Sequence, residues 1–388
     1  ANNSVLEKEQ EEDDNISIGE NMLSVAKVYS EFIESRAYIG FGGYHYVSNT
    51  VMSAGSAVIW SVDESAEGYT YLVTNYHVVY DKSADTTKNG GNIAKNINIY
   101  LYGSEGTPTE MTEKDENGYT QYDYGDYAVK CEYVGGSIEA DIAVLKMPTS
   151  TIKAVNKNIK PVTLSDSYYV GQTAIAIGNP EDGGISVTRG IVSVESDYIA
   201  LKIDNTARYY RSIRIDTALY SGNSGGGLFD VNGKLIGITN AGDTEDQNIN
   251  FAIPIEIVKG TVENILYYYD GTKPAEVQKV ELGVDITTEN SVYVYDYKAG
   301  YGKIVEEVAI SSITEGSIAE SLQLAKGDII TGVTINGVEY SIERSFNISD
   351  ILLGVRAGDN IAVKYKRDGK SGITQAYQIS TSDLSIIS

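Results

Sequence analysis

The sequence predicts a mainly β protein, in which a larger first domain of short strands is followed by a small α+β domain. Between residues 56 and 241, nine short apolar runs are separated by clusters of Gly, Asn and Asp, a spacing typical of an antiparallel sandwich or barrel. From Val280 a second set of strands and helical segments begins, and at about 110 residues it has the size of one small domain. A chain of 388 residues is long enough for two or three hydrophobic cores.

The first domain is predicted to begin with a helix. Residues 1–20 are polar and acidic and are interpreted as a flexible tail. In residues 21–35 the apolar residues recur at helical spacing. Strands are then predicted at residues 56–62, 69–79, 96–102, 127–134, 140–147, 173–178, 185–196, 209–216 and 234–241.

The remaining segments of the first domain, 21–270, are assigned from local signals. Asn-Gly within residues 230–235 predicts a hairpin turn, and residues 253–270 predict a closing helix. Residues 271–279 are the candidate linker to the second domain, 280–388.

The polar stretch 81–126 is predicted to be a long surface hairpin. Its segment "EKDENG" partly resembles the start of an EF-hand calcium loop. The twelfth position would be Tyr124 instead of the required Glu, and no helices flank the segment, so the hairpin is favoured over a calcium site.

Composition argues against several classes of function. The net charge of -24 argues against a nucleic-acid partner and against docking on an anionic membrane. We interpret it as a feature that keeps the protein soluble. The single cysteine, Cys131, is expected to be a small buried hydrophobe. With one Cys and two His, neither a metal site nor a cofactor is expected.

A glycine-rich segment singles out one serine. Residues 221–227 read "SGNSGGG" and lie between two strand-like runs, which argues against a flexible linker. Glycine permits positive φ and lets a second backbone approach closely, as a nucleophile that attacks a peptide carbonyl requires. Ser224 is the candidate nucleophile, and an ordinary turn serine is the alternative.

A serine nucleophile needs a base and a group that orients the base. His77 follows an apolar strand, whereas His45 is interpreted as a loop residue without a role. Asp141 lies at the mouth of another apolar strand. Taken singly, His77 would also suit a core histidine, and Asp141 would also suit a turn cap.

The order His77, Asp141, Ser224 is that of the chymotrypsin class, and the surrounding strings resemble the HtrA (Deg) family of serine proteases. The resemblance implies a chymotrypsin-like double β-barrel with these three residues as its triad. It also implies an oxyanion hole made by backbone N–H groups around Gly222, Asn223 and Ser224. The strings that carry it are "SAGSAVI", "TNYHVV", "ADIAVLKM", "TAIAIGNP", "GNSGGG" and "NFAIP".

The predicted substrate pocket favours small or medium apolar side chains. In this class the residue six before the serine forms the pocket base, and here it is Ala218, where an Arg or Lys side chain would be buried unpaired. Thr239 and Asn240 are assigned to the same pocket.

The serine loop departs from the family pattern by lacking two prolines. Tyr220-Ser221 and Gly227 stand at the positions concerned. Because proline restrains φ, we expect a loop that is mobile in the free protein, with an oxyanion hole only partly formed.

Residues 280–388 resemble a PDZ domain of the HtrA type, in "LGV", "GSIAESLQLAKGDIITGV" and "INGV". The resemblance implies that backbone amides of Leu282, Gly283 and Val284 bind the carboxylate of peptide C-termini. A packing domain that binds nothing is the alternative. The family also implies a homotrimer and, for bacterial members, a location outside the cytoplasm, with which the acidic, tether-like start agrees.

Two classes of function remain in view. The first is a serine endopeptidase, secreted or facing the cell envelope, that hydrolyses unfolded or damaged proteins or one dedicated regulatory target. The second is a non-catalytic chaperone or peptide-binding protein on the same folds. The presence of all three triad residues favours the enzyme.

Overall fold

The computed structural model describes residues 18–40, 43–242 and 248–387. Most of the predicted tail, residues 1–17, lies outside this part of the chain. The chain divides into two compact units. The first extends to Val258 and includes Ile265–Ala275, and the second comprises Lys259–Asn264 and Glu276–Ser388. The domain boundaries given above stay predictions.

The first half of the first unit is a closed antiparallel barrel. Its sheet runs in the order β7-β4-β1-β2-β3-β8, and β7 also pairs with β8. Strands β5 and β6 form a separate hairpin, as predicted for part of the 81–126 stretch. The strands are β1 (Val25–Gly40), β2 (Gly43–Val62), β3 (Tyr69–Thr74), β4 (Asn96–Leu101), β5 (Thr109–Lys114), β6 (Thr120–Asp123), β7 (Val129–Ser137) and β8 (Ile142–Pro148).

The second half of this unit is another barrel. Its order is β13-β10-β11-β12-β15-β14, closed by pairing of β13 with β14, and β9 pairs in parallel with β14. The strands are β9 (Thr163–Leu164), β10 (Thr173–Gly178), β11 (Ser186–Leu201), β12 (Arg208–Ile215), β13 (Gly227–Phe229), β14 (Lys234–Gly242) and β15 (Asn250–Pro254). Three helices accompany the two barrels: α1 (Tyr76–Val79) follows β3, α2 (Thr149–Val155) follows β8, and α3 (Ile255–Tyr268) follows β15, with its residues Lys259–Asn264 grouped with the second unit. The predicted hairpin at 230–235 and the closing helix are thereby confirmed.

Apolar side chains fill the two barrels separately. In the first, Ile59, Leu72 and Leu145 are fully buried. In the second, Ile213 and Leu228 are fully buried. Burial of such side chains stabilises each barrel by roughly 1.5–3 kcal/mol per residue.

The second unit is small and mixed α+β. Its sheet runs β17-β18-β19-β21-β22, with β20 beside β19 and β23 beside β21, and β16 pairs with β24. The strands are β16 (Ala275–Val280), β17 (Val284–Asp296), β18 (Tyr301–Ile313), β19 (Ile329–Ile335), β20 (Val338–Ser341), β21 (Asn360–Arg367), β22 (Lys370–Ile373), β23 (Tyr377–Gln378) and β24 (Leu384–Ile387), and the helices are α4 (Ile318–Ser321) and α5 (Asn347–Leu352). The last residues of the predicted linker, from Ala275, are therefore strand.

Three local predictions were wrong. Residues 22–24 form a 3-10 turn and β1 follows, where a helix over 21–35 was expected. β1 pairs with β2 on one side and, over Ala26–Glu31, with β4 on the other. Its residues 25–32 are buried on both faces, and a continuous buried run of this kind is ambiguous between helix and strand. His45 lies within β2, where its ring stacks on Tyr38 of β1, and is not in a loop. The strand predicted over 69–79 ends at Thr74.

Candidate active site

His77 and Asp141 form a close pair in the first barrel. His77 lies on α1, immediately after β3, and Asp141 lies immediately before β8. Nδ1 of His77 is 2.8 Å from one carboxylate oxygen of Asp141, and the backbone N–H of His77 donates to the other at 3.0 Å. Both oxygens are thus used by one residue, and the ring is fixed in orientation.

The backbone around Asp141 is held as tightly as its side chain. Asp141 is fully buried and has a left-handed φ of 52°, and its carbonyl accepts from the Tyr76 N–H and from the Asn75 amide, both at 3.1 Å. Left-handed backbone in a residue other than glycine costs energy and persists where the surroundings impose it.

The Asp141 carboxylate decides the charge preference of His77. Burial disfavours the imidazolium, but the charge of Asp141 and its hydrogen bond outweigh burial, and the pKa of His77 lies above its ordinary value. The ring is nevertheless accessible, because its side chain is 32% exposed. A histidine of this kind can accept a proton and hold it as a stabilised cation.

Ser224 faces the same cleft as His77. The cleft, of about 480 Å³, is lined by His77, Tyr80, Asp81, Lys82, Leu201, Lys202, Ile203, Ser224 and Asn240. The hydroxyl of Ser224 donates to the carbonyl of Asn240 at 2.8 Å, and among the described residues no hydrogen bond joins it to His77.

Two glycines allow the serine loop (residues 221–227) to pack where it does. Gly222 has φ +95°, and a Cβ there would lie 2.2 Å from the carbonyl oxygen of Asn179. Gly225 has φ +87°, and its Cβ would lie 2.1 Å from the carbonyl oxygen of Ser56. Any other residue at either position would meet both strain and a backbone clash.

The amides of the serine loop divide into used and unused groups. The N–H of Asn223 donates to the carbonyl of Tyr220 at 3.0 Å. In the described part of the chain, the N–H groups of Gly222 and Ser224 have no acceptor. Two amides of one turn are therefore available to a ligand oxygen.

Ser56 of β2 is a supporting residue that the sequence interpretation missed. Its N–H donates to the carbonyl of Ser224 at 2.8 Å, and its hydroxyl donates to the carbonyl of Gly222 at 2.7 Å. The only signal was its place in "SAGSAVI", a string noted for its resemblance and not for this serine.

The predicted pocket residues have different surroundings. Asn240 lines the cleft, and among the described residues both atoms of its buried side-chain amide lack a hydrogen-bond partner. Thr239 is 1% exposed, and its hydroxyl donates to the carbonyl of Asn223 at 2.6 Å. The carbonyl of Ala218 accepts from the Thr188 hydroxyl at 2.8 Å. The pocket assignment of all three stays a prediction.

A second cavity lies in the second unit. It has a volume of about 320 Å³ and is bounded by the start of β17 and by α5. Leu282, Gly283 and Val284 all line it. Their loop is fixed, since the carbonyl of Leu282 accepts from the Ala319 N–H and that of Gly283 from the Thr314 N–H, both at 2.9 Å.

Comparison with known proteins gives concordant results. Residues 55–238 match the trypsin-like peptidase domain family. The serine protease Do-like HtrA of Lactococcus lactis subsp. cremoris is 27% identical over 95% of this chain and 82% of its own. The periplasmic serine endoprotease DegP of Salmonella typhimurium is 30% identical over 86% of this chain and 58% of its own.

The structural comparison agrees on the fold. The HtrA-type protease AlgW, solved with a tripeptide, has a TM-score of 0.53 and 24% identity over 96% of this chain and 97% of its own. In the described residues, no helix has the length and apolar character needed to cross a membrane. Residues 55–238 are therefore a trypsin-like peptidase domain, and the chain is a serine endopeptidase homologous to the HtrA/DegP proteases.

Proposed function

We propose that the protein cleaves peptide bonds with Ser224 as nucleophile, His77 as general base and Asp141 as the group that orients the base. The observation that carries this proposal is the 2.8 Å pairing of His77 with buried Asp141, in the cleft that Ser224 also lines. With Nδ1 protonated and facing Asp141, the lone pair of Nε2 is available to Ser224.

The hydroxyl of Ser224 changes partner before the reaction. It rests on the carbonyl of Asn240, so a rotation about its Cα–Cβ bond must bring Oγ to Nε2 of His77. Catalytic hydrogen bonds are often long or poorly aligned in ligand-free active sites and tighten when substrate binds. His77 then takes the hydroxyl proton as Oγ attacks the carbonyl carbon, and returns it to the leaving amine. Water hydrolyses the resulting ester in the same way.

The unused amides of Gly222 and Ser224 are the proposed oxyanion hole. They lie in the turn that presents Oγ, and the intermediate places its negative oxygen near both. Donors of this kind lower the barrier by about 3–4 kcal/mol each. Asn223, whose own N–H is used inside the turn, connects the two donors.

The proposed substrates are extended segments of unfolded or damaged proteins, with a small or medium apolar residue before the cleaved bond. An open cleft that binds backbone needs several residues of extended chain, which a folded protein does not offer. Two names of related proteins support peptide substrates in general: AlgW was solved with a tripeptide, and DegP is called a periplasmic endoprotease. We also propose a location facing the cell envelope and a homotrimeric assembly, both from the family.

The substrate class is tested with one polypeptide in two states. We expect reduced, carboxymethylated α-lactalbumin to be cut after small and medium apolar residues, while native α-lactalbumin with intact disulfides stays whole. Fragments are mapped by mass spectrometry. Equal cleavage of both forms, or cleavage mainly after Arg, would contradict this substrate class, and no cleavage of either would favour the chaperone alternative.

We further propose that the cavity beside Leu282, Gly283 and Val284 binds peptide C-termini by adding a strand to β17. Replacing Gly283 by Ala is expected to weaken binding at least tenfold, because Gly283 has φ +79° and its Cβ would lie 2.3 Å from that of Ser317. Fluorescence anisotropy of a labelled apolar peptide measures the Kd.

Two controls make this binding test specific. The variant Gly369→Ala has a similar positive φ but open space around the new Cβ, and is expected to bind normally. The same peptide with an amidated C-terminus is expected to bind weakly. Equal affinity of the free-acid and amidated peptides would refute carboxylate recognition.

A further inference from the structure

A strained turn, residues 179–184, packs against the serine loop. This bracing turn connects β10 with β11, and its residues Glu181 and Asp182 both have left-handed backbone, with φ of 50° and 57°. Two consecutive non-glycine residues in this region are unfavourable unless neighbours hold them.

An ion pair between buried Lys27 and half-buried Asp182 holds the bracing turn. The Asp182 carboxylate is 3.1 Å from the ammonium of Lys27 and accepts hydrogen bonds from the Tyr29 hydroxyl and, at 3.2 Å, from the Asn179 amide. Lys27 is 3% exposed and donates also to the carbonyl of Gly106 at 3.0 Å. All three donors converge on one oxygen, Oδ1.

The bracing turn in turn fixes one peptide unit of the serine loop. The N–H of Glu181 donates to the carbonyl of Ser221 at 2.6 Å. In a trans peptide the C=O and N–H point in opposite directions. Anchoring the Ser221 carbonyl to the bracing turn therefore points the N–H of Gly222 away from it. That N–H is one of the two proposed oxyanion donors.

A second contact of the same turn fixes the far side of Gly222. The N–H of Asn179 donates to the hydroxyl of Ser56 at 2.8 Å, and this hydroxyl donates to the carbonyl of Gly222. The peptide units on both sides of Gly222 thus depend on the bracing turn. These contacts restrain the serine loop, and its mobility in the free protein, expected from the two missing prolines, stays a prediction.

We propose that the Lys27–Asp182 ion pair positions the oxyanion hole: it holds the bracing turn in its left-handed conformation, and the turn fixes the direction of the Gly222 N–H. The inference rests on the proposed function of Ser224 and Gly222. Asp182 and Lys27 are positioning residues, since they act on the reaction only through Glu181 and Ser221. Their effect should therefore fall on the transition state and spare ground-state binding.

The test compares Asp182→Asn, Lys27→Met and the double variant. Asn keeps the shape of Asp and tolerates left-handed backbone, so Asp182→Asn removes mainly the charge. The double variant leaves no unpaired buried charge, and it keeps the test valid if a single variant fails to fold. We expect kcat for a fluorogenic peptide amide to fall about tenfold in each, with KM within twofold of wild type. Deleting a donor outright would cost about 10²–10³.

The affinity for a transition-state analogue distinguishes a positioning role from a merely structural one. A peptide aldehyde forms a hemiacetal with the serine and places its oxygen in the oxyanion hole, so its affinity should fall by the same factor as kcat. The control is Glu132→Gln, which removes a carboxylate 3.4 Å from another lysine of the same unit, Lys146, which is 6% exposed. Circular dichroism confirms folding of every variant.

The outcomes separate this inference from the proposed function. If wild type shows no turnover that depends on Ser224, the proposed function fails. If wild type is active but the folded variants keep kcat and aldehyde affinity within twofold, the positioning role is refuted. A rise in KM with unchanged kcat would refute it too, since that pattern marks lost substrate binding. We also expect the effects of the two substitutions on kcat to be non-additive, so that the double variant is no slower than Asp182→Asn alone.

Discussion

Replacing Ser224 by alanine is expected to lower kcat by about 10⁴- to 10⁶-fold, the range measured when the nucleophile of such a triad is removed. Alanine has no oxygen to form the ester, and the chemistry left is attack by water beside the oxyanion donors. The variant should fold normally. In wild type, the Ser224 hydroxyl makes one hydrogen bond among the described residues, to the carbonyl of Asn240, and the loop is held through backbone groups that alanine retains.

The measurement is kcat on a fluorogenic peptide together with covalent labelling by a fluorophosphonate. Wild type should be labelled at Ser224, located by mass spectrometry, and Ser224→Ala should not be labelled. Ser167→Ala, an exposed serine of the same unit, is the matched control and should behave as wild type. Retention of more than about 1% of kcat by Ser224→Ala would exclude Ser224 as the nucleophile.

Asp141→Asn is expected to lower kcat by about 10⁴-fold, through the tautomer of His77. One carboxylate oxygen accepts the backbone N–H of His77, and the other faces Nδ1 of the ring. An asparagine can accept the backbone N–H of His77 only if its side-chain oxygen takes that position, so its NH₂ group must face Nδ1. The ring then accepts at Nδ1 and carries its proton on Nε2, where it has no lone pair for the proton of Ser224.

The same variant should change the pH dependence of the residual activity. The proposed mechanism needs neutral His77, so kcat/KM should fall as pH drops through its pKa, which Asp141 raises above the ordinary value. Without the carboxylate charge the acid limb should move to lower pH. A profile of kcat/KM between pH 4 and about 9 measures this. His45→Gln is the control, and an unmoved acid limb in Asp141→Asn would contradict the assignment.

The predictions from sequence succeeded where local pattern decides structure. The runs that flank the serine loop alternate apolar and polar residues, and Asp141 precedes a short continuous apolar run that forms β8. The chemistry of a serine protease limits the candidate base to two histidines. The pattern is informative there because each segment reports its own environment.

The sequence interpretation failed where distant segments decide. Residues 25–40 form a strand because β2 pairs with them along their whole length and β4 pairs with Ala26–Glu31. Tyr29 and Asp182 are 153 positions apart, and neither lies in a motif, so no local signal reveals that they meet. Ser56 contacts the serine loop from the other barrel, 166 positions away from Gly222, so no local signal reveals this contact either.

The contacts of Ser56 and Lys27 link the serine loop to strands that are synthesised much earlier. Both residues belong to the first barrel, while the loop they organise belongs to the second. A ribosome adds Ser56 to the chain 166 residues before Gly222, so a nascent or truncated chain contains the supporting strands without the serine loop. We therefore expect proteolytic activity only from a chain in which both barrels are complete.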